Sequence, residues 1–276
     1  MKIARTVAEL RKIQAEFRHD RLSSCLVPTM GALHRGHLAL VEHAHTLADR
    51  VIATLFVNPT QFGPNEDLDR YPRQEQSDLD AFEKADVATV FMPAVEEMYA
   101  PGDATRIDVA GPALGLEADH RPHFFGGVAT VVSRLLLAAM CDTAIFGEKD
   151  YQQLLVIRRM VADLKIPCEI HGGVTVREAD GLALSSRNAY LTKEERDLAP
   201  SLYRTLLEAR DAFAGGGAAP VVEADAKDKL GVLGFRPDYV SVCNAHDLTD
   251  ITEPGRARIL AAAWLGTTRL IDNVPA

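Results

Sequence analysis

The sequence predicts an α/β protein with a doubly wound parallel sheet, followed by a smaller α+β domain. In the first 175 residues, apolar segments of strand length alternate with amphipathic helical segments, as in a parallel sheet covered by helices. Proline, glycine or asparagine follows most of these apolar segments, and such residues end strands. From residue 239 onward, strand-like segments follow one another directly, which indicates a separate α+β unit.

The predicted elements of the first part follow in order. A capping box at residues 6–9 opens the first helix, and further helical segments cover 38–48, 74–85, 128–140 and 154–164. The strands predicted between them are 25–27, 51–57, 87–92 and 143–146, and they are apolar enough to be buried on both faces. Residues 168–170 close the sheet, with 174–176 as a further candidate, and a short strand is expected at 106–109. The very apolar 128–140 helix suits either the core or a face that packs on a second subunit.

The second part is predicted to begin near residues 172–177, so we expect one domain at 1–175 and another at 176–276. A second capping box at 192–195 opens a helix that reaches about Phe213. Pro220 suits the first turn of the next helix. Three strand-like segments then follow, at 239–243, 258–265 and 268–271.

Composition excludes several classes of protein. The 276 residues carry a net charge of -9, which argues against a broad nucleic-acid interface. No apolar run approaches the roughly 18 residues of a membrane span, and the first residues lack a signal-peptide pattern. The 4 cysteines are dispersed and are typical of reduced, mostly buried thiols. We therefore expect a cytoplasmic protein that binds no membrane and no nucleic acid.

One segment, residues 28–37, has the features of an anion site. It joins a predicted strand to a helix through a glycine turn, and His34 and His37 fall on one face of the first helical turn. Backbone N–H groups at such a turn are expected to be unpaired, and the helix dipole favours anions there. Alone, the motif fits a glycine turn with two surface histidines equally well.

Three further loops are expected near that turn, at 58–73, 147–150 and 181–188, because loops at the carboxyl ends of parallel strands line one crevice. Lys149 and the segment Ser185-Ser186-Arg187 offer donors that suit phosphate oxygens. Gln61 and Gln153 could hold a small polar substrate. Each of these residues, taken alone, is more typical of a solvated surface position.

The motifs of several other reaction types are missing. The sequence has no Gly-x-Ser-x-Gly elbow, no evident Ser-His-Asp order and no Walker sequence. Phosphate-binding donors without a nucleophile–base pair suit displacement at the α-phosphate of a nucleotide, where positioning and charge stabilisation supply most of the rate. The substrate would then bring its own nucleophile.

Five motifs make the chain resemble the pantothenate synthetase (pantoate–β-alanine ligase) family. In family order they are Pro-Thr-Met-Gly-Ala-Leu-His-Arg-Gly-His (28–37), Phe-Val-Asn-Pro-Thr-Gln-Phe (56–62), Arg-Tyr-Pro-Arg (70–73), Phe-Gly-Glu-Lys-Asp-Tyr-Gln-Gln (146–153) and Asp-Gly-Leu-Ala-Leu-Ser-Ser-Arg-Asn (180–188). The resemblance implies a Rossmann-type nucleotidyltransferase domain with a C-terminal lid, as a homodimer. It also implies attack of pantoate on ATP with Mg²⁺ present, giving pantoyl adenylate and pyrophosphate. β-Alanine then attacks the acyl carbon and releases AMP and pantothenate.

The same resemblance assigns residues to roles. His34, His37 and Lys149 would be catalytic, with His37 as proton donor, and Gln61 and Gln153 would hold pantoate, Gln61 also lying near β-alanine. The ATP site would consist of Met30, Gly31, Ala32, Leu33, His34, Arg35, Gly36, His37, Gly147, Glu148, Lys149, Asp150, Val176, Leu184, Ser185, Ser186 and Arg187. It leaves the magnesium ligands unassigned.

Three positions depart from the family pattern. The usual Arg-Pro-Gly-His-Phe-x-Gly-Val corresponds here to residues 121–128, where His123 replaces the glycine and Phe124 replaces the histidine. Thr60 replaces a common methionine before Gln61. The resemblance therefore assigns no residue of this chain to the role of that histidine.

Two other functions remain open on the sequence. A nucleotidyltransferase that moves AMP or CMP onto a phosphate ester would need a basic site for that ester, whereas the glutamine pair favours a hydroxy acid. A nucleotide-binding regulatory module would not need two histidines, Lys149 and Ser185-Ser186-Arg187 together.

Overall fold

The structure is a computed structural model that describes residues 1–276 apart from 65, 67, 252 and 254. Its strands are β1 (Lys2–Ala4), β2 (Ser24–Val27), β3 (Arg50–Thr54), β4 (Thr89–Phe91), β5 (Thr143–Gly147), β6 (Glu169–Gly173), β7 (Arg236–Asn244), β8 (Ala257–Leu265) and β9 (Thr268–Pro275). Its helices are α1 (Val7–His19), α2 (Arg35–Leu47), α3 (Glu75–Lys84), α4 (Val95–Met98), α5 (Glu117–His120), α6 (Phe124–Ala139), α7 (Tyr151–Leu164), α8 (Lys193–Leu198), α9 (Ser201–Ala214) and α10 (Ala219–Val232). Among the described residues, none of these helices is long and apolar enough to cross a membrane.

The first six strands form one parallel sheet in the order β1-β4-β3-β2-β5-β6, which confirms the predicted doubly wound sheet. Strand β1 is not predicted from the sequence, because it is an edge strand of only three residues. Strands β2 and β5 are neighbours in the sheet. The loops that follow them therefore leave the sheet side by side, although they are far apart in the chain.

Four predicted elements differ from the structure. The candidate strand at 174–176 is absent, because β6 ends at Gly173. The strand expected at 106–109 is absent, because the Ile107 N–H bonds to the Thr130 hydroxyl (3.0 Å) rather than to another strand. The helix expected from the capping box at Thr192 is split into α8 and α9. Pro200 lies at the break, where it has no N–H to continue the ladder. Helix α6 starts at Phe124, four residues earlier than predicted, and 13 of its 16 residues are buried within the chain, so it is a core helix.

Strands β7, β8 and β9 form a separate antiparallel sheet, as the consecutive strand-like segments predicted. Helices α9 and α10 pack with this sheet around an apolar cluster of their own. Leu260 of β8 and Cys243 of β7 instead join the core of the larger sheet. The four cysteines are free and buried, and burial raises the pKa of each thiol.

Candidate active site

A cavity of about 910 Å³ lies at the carboxyl ends of the parallel strands and is bounded on its other side by β9. Most of the residues predicted for the site line it, from four separate loops. They are Met30, His34, Gly36, His37, Gln61, Gly147, Lys149, Asp150, Gln153, Val176, Leu184, Ser185, Ser186 and Arg187. The structure thus brings together phosphate-type donors and the two glutamines around one space.

His34 and His37 form a stacked pair at the start of α2, with ring centroids 4.0 Å apart. The Gly36 N–H donates to Nδ1 of His34 (3.1 Å), and the His34 N–H donates to Nδ1 of His37 (3.3 Å). Gly36 permits this arrangement, because a Cβ there would lie 2.9 Å from the His34 ring. Since each Nδ1 accepts a hydrogen bond, each neutral imidazole carries its proton on Nε2.

Both imidazoles are held in the neutral form. Burial and then the nearby Lys149 ammonium lower the pKa of His34 to about 4, against a smaller opposing effect of Glu178. Burial, then His34 and Lys149, lower the pKa of His37 to about 3. At neutral pH the pair therefore offers hydrogen-bond donors without a formal charge, and the cationic groups of the cavity wall are Lys149 and arginines.

The backbone amides of the glycine turn do not match the expectation of unpaired donors. The buried carboxylate of Asp78, on α3, accepts the N–H groups of Ala32 and Leu33 at 2.9 Å each. An anion does sit on the turn, but it is part of the protein. Asp78 lies 46 residues from Ala32, so no local motif revealed it.

Other predicted residues also lie away from the cavity wall. Gly31, Ala32 and Leu33 belong to the turn held by Asp78. The Arg35 guanidinium pairs with Glu178 (2.5 Å), and the Glu148 carboxylate pairs with Arg258 (3.0 Å). Contacts of these residues with ATP stay predictions.

Gln61 is held at the cavity wall by neighbours that sequence reasoning did not assign. The Asn58 side-chain amide donates to Oε1 of Gln61 (3.2 Å), and Nε2 of Gln61 lies 3.0 Å from the sulfur of Met30. Asn58 is itself buried and accepts a hydrogen bond from the Tyr99 hydroxyl (2.7 Å). Asn58 follows the predicted strand 51–57, and its place before Pro59 indicates only the end of that strand.

Thr60, the replacement for methionine, does not line the cavity. Its hydroxyl donates to Oδ1 of Asn58 (3.0 Å) and lies 3.1 Å from the Tyr99 hydroxyl. The substitution therefore adds a polar support behind Gln61.

The histidine departure leaves two different side chains at the cavity. The ring of Phe124 is buried beneath the Arg121 guanidinium, 3.8 Å from ring centroid to Cζ. His123 lies at the edge of the cavity, with Nε2 3.4 Å from a carboxylate oxygen of Glu66. An imidazole thus reaches the cavity wall from the position before the usual one.

A chain of ion pairs, unforeseen from the sequence, closes one end of the cavity. Arg269 of β9 holds both oxygens of the buried Glu117 carboxylate (2.7 and 2.8 Å) and pairs with Asp238 (2.7 Å). Arg121 also pairs with Oε1 of Glu117 (3.3 Å) and with Glu66 (2.5 Å). These pairs connect the antiparallel sheet to α5 and to Glu66 through residues distant in sequence, which is why no motif pointed to them.

Comparison with known proteins agrees with this geometry. The model of the family described as pantoate-beta-alanine ligase matches residues 2–275. The chain belongs to the pantoate–β-alanine ligase family. It is 51% identical to the pantothenate synthetase of Rhodospirillum rubrum, over 99% of this chain and 98% of that one. It is 52% identical to the enzyme of the same name from Paramagnetospirillum magneticum, over 99% of this chain and 96% of the relative.

Solved structures of pantoate–β-alanine ligases have the same fold. The structure from Thermus thermophilus superposes with a TM-score of 0.91 at 48% identity, covering 99% of each chain. The Francisella tularensis ligase, described as complexed with beta-gamma ATP and β-alanine, gives a TM-score of 0.83 at 33% identity, covering 100% of this chain and 97% of its own. These findings confirm the family and the fold class that the five motifs indicated.

Proposed function

We propose that this chain makes pantothenate from pantoate, β-alanine and ATP, with pantoyl adenylate as the intermediate. The observation that carries the proposal is the convergence of His34, His37, Lys149, Gln61 and Gln153 on one cavity in a member of this family. In the first step a carboxylate oxygen of pantoate attacks the α-phosphorus and pyrophosphate leaves. In the second step the β-alanine amine attacks the acyl carbon and AMP leaves.

In this proposal, one side of the cavity binds the triphosphate. Lys149 and Arg187 place positive charge on phosphate oxygens, and the Ser185-Ser186 hydroxyls add donors. His34 and His37 donate neutral N–H bonds toward the reacting phosphate. Such preorganised donors stabilise the charge that develops in the transition state, at no cost of solvent reorganisation.

Gln61 and Gln153 hold pantoate in this scheme. A carboxamide donates to a carboxylate and also accepts from a hydroxyl, which matches the two functional groups of a hydroxy acid. Asn58 orients Gln61 by donating to its Oε1 (3.2 Å). Gln61 also lies on the side from which β-alanine is proposed to approach.

Magnesium enters the proposal as the ion that ATP carries on its phosphate oxygens. Among the residues that the structure describes, no three His, Cys, Asp or Glu side chains are grouped to hold a metal ion.

A homodimer in the cytoplasm is also proposed. The exposed apolar side chains Leu137 and Met140, at the end of α6, are available to a second copy. Sedimentation equilibrium decides between the mass of one chain, 30.1 kDa, and twice that value.

One assay tests the reaction. The protein is incubated with ATP and Mg²⁺, with and without pantoate and β-alanine, and pyrophosphate and AMP are followed separately. Pyrophosphate release that requires pantoate, together with AMP release that also requires β-alanine, supports the ligase. Transfer of a nucleotide onto a phosphate ester, without AMP release, would refute it in favour of a nucleotidyltransferase.

A further inference from the structure

The turn that carries Lys149 is held by a residue from the far end of the chain. Asn273, on β9, is buried, and its Nδ2 donates to the carbonyl oxygens of both Glu148 and Lys149, at 2.9 Å each. These two bonds fix the peptide groups on either side of Lys149. The amide therefore sets the direction in which the Lys149 side chain leaves the turn.

A second residue of the same sheet fixes the orientation of that amide. Nε of Arg258, on β8, donates to Oδ1 of Asn273 (2.6 Å), so a flipped amide would point its NH₂ group at a guanidinium. Arg258 also pairs with the Glu148 carboxylate (3.0 Å) and lies over the Tyr151 ring at 3.7 Å. Arg258 lies opposite Pro275, and Asn273 lies opposite Leu260, so both side chains share one face of the antiparallel pair.

The contacts of this pair are concentrated on one short segment, residues 148–151. Lys149 lies two residues after the end of β5, and its ammonium lies in the cavity wall near the two histidines. The ammonium makes a loose ionic contact with Asp150 (3.7 Å). Backbone contacts rather than side-chain contacts thus define where the Lys149 backbone lies.

We propose that Asn273, oriented by Arg258, is a positioning residue that aims Lys149 at the phosphates of ATP. The inference rests on the proposed function for the identity of the ligand. It assigns to the C-terminal sheet a part in nucleotide binding that does not require contact between that sheet and the nucleotide. Loss of the two carbonyl contacts frees the turn, and the Lys149 ammonium then binds phosphate only after an ordering cost.

The test is a double-mutant cycle on the full-length protein. The dissociation constant of ATP with Mg²⁺ is measured by calorimetry for the wild type, Asn273→Ala, Lys149→Ala and the double variant. Asn244→Ala is the matched control, because it removes the same amide from β7, where the side chain accepts from the His246 N–H within its own turn (2.9 Å). Arg258→Gln gives a second route to the same perturbation, and circular dichroism establishes that each variant is folded.

We expect Asn273→Ala to weaken ATP binding about tenfold and Arg258→Gln to weaken it about threefold. These losses are moderate because the contact between the Lys149 ammonium and phosphate is misordered rather than removed. In the Lys149→Ala background the Asn273→Ala change should cost less than about twofold, and Asn244→Ala should leave the affinity at its wild-type value. A merely structural role would give the same loss with and without Lys149.

Three results would overturn the inference: wild-type affinity in Asn273→Ala, an undiminished effect in the Lys149→Ala background, or wild-type affinity in Lys149→Ala itself. Failure of the wild type to form pantothenate would refute the proposed function instead. The ATP-binding cycle decides the positioning role in either case.

Discussion

Replacing Gly127 with alanine is expected to displace Gln61 and to weaken the use of pantoate. Gly127 lies in the first turns of α6, against the backbone of the turn that bears Gln61. A Cβ on Gly127 would lie 2.4 Å from the carbonyl oxygen of Thr60 and 2.8 Å from Cα of Gln61, whereas real Cβ atoms keep at least 3.0 Å. Because these are backbone atoms, α6 and the turn must separate by about 0.6 Å (3.0 − 2.4 Å).

The size of the effect follows from this displacement. Overpacking of this kind costs about 1–3 kcal/mol, and the better helix propensity of alanine offsets about 1 kcal/mol of it. The net loss in the free energy of unfolding is therefore about 0–2 kcal/mol, so the variant should fold. A misplacement of about 1 Å in a substrate-positioning group costs about 10²-fold in rate, which suggests about a tenfold loss for this shift.

Steady-state kinetics with pantoate and ATP varied separately measure the effect, and thermal unfolding measures stability. The loss should fall on kcat/KM for pantoate, while the affinity for ATP changes little. The matched control is Gly126→Ala, whose Cβ would meet the tip of the Asp108 side chain (2.8 Å), which can rotate away. Wild-type kcat/KM for pantoate in Gly127→Ala would refute the reasoning.

Other changes have equally definite expected outcomes. His37→Ala should lower kcat by about 10²-fold or more through loss of a donor to the reacting phosphate. The control His43→Ala, further along the same helix, should stay near wild type, and an active His37→Ala would exclude the assigned role. Folding lowers the pKa values of His34 and His37 to about 4 and about 3. A histidine in the unfolded chain has a pKa of about 6.5, so below that pH the unfolded state binds more protons than the folded state. The free energy of unfolding should therefore fall as the pH falls from about 6.5 toward 4, by at most about 1.4 kcal/mol per pH unit for each histidine. Urea unfolding of His37→Gln should show a shallower fall with pH. The same dependence on pH as in the wild type would contradict the burial of this pair. Asp78→Asn should lower the free energy of unfolding in urea by about 1–3 kcal/mol and also lower kcat, because the single oxygen of an amide does not replace the two carboxylate oxygens that accept the N–H groups of the glycine turn. The control Asp80→Asn, at an exposed position, should change neither the stability nor kcat.

Much of the fold could be predicted because its signals are local. Buried parallel strands are nearly continuous apolar runs, and the capping boxes at Thr6 and Thr192 mark helix starts in both the sequence and the structure. The elements that were not predicted correctly also have local physical causes. Strand β1 is only three residues long, too short to show a strand pattern, and the segment around Ile107 bonds to a helix side chain instead of a neighbouring strand.

The sequence predicted which residues of the candidate site lie together, but not the contacts that support them. Motif order grouped His34, His37, Gln61 and Lys149, and the cavity brings these residues together. The motifs did not reveal that the Asp78 carboxylate already accepts the N–H groups of the glycine turn, since no sequence pattern links a residue of α3 to that turn. It also gave no sign that burial keeps the histidines neutral.

Short motifs and hydrophobic periodicity are enough to indicate the family, the parallel sheet and the loops that meet at its edge. The groups that support those loops depend instead on tertiary packing. Asp78 beneath the glycine turn, Asn58 behind Gln61, and Arg258 with Asn273 on the Lys149 turn were all placed by folding rather than by a motif. Such contacts arise from the packing of whole elements, so the protonation state of the histidines and the aim of Lys149 become defined only once the chain is folded.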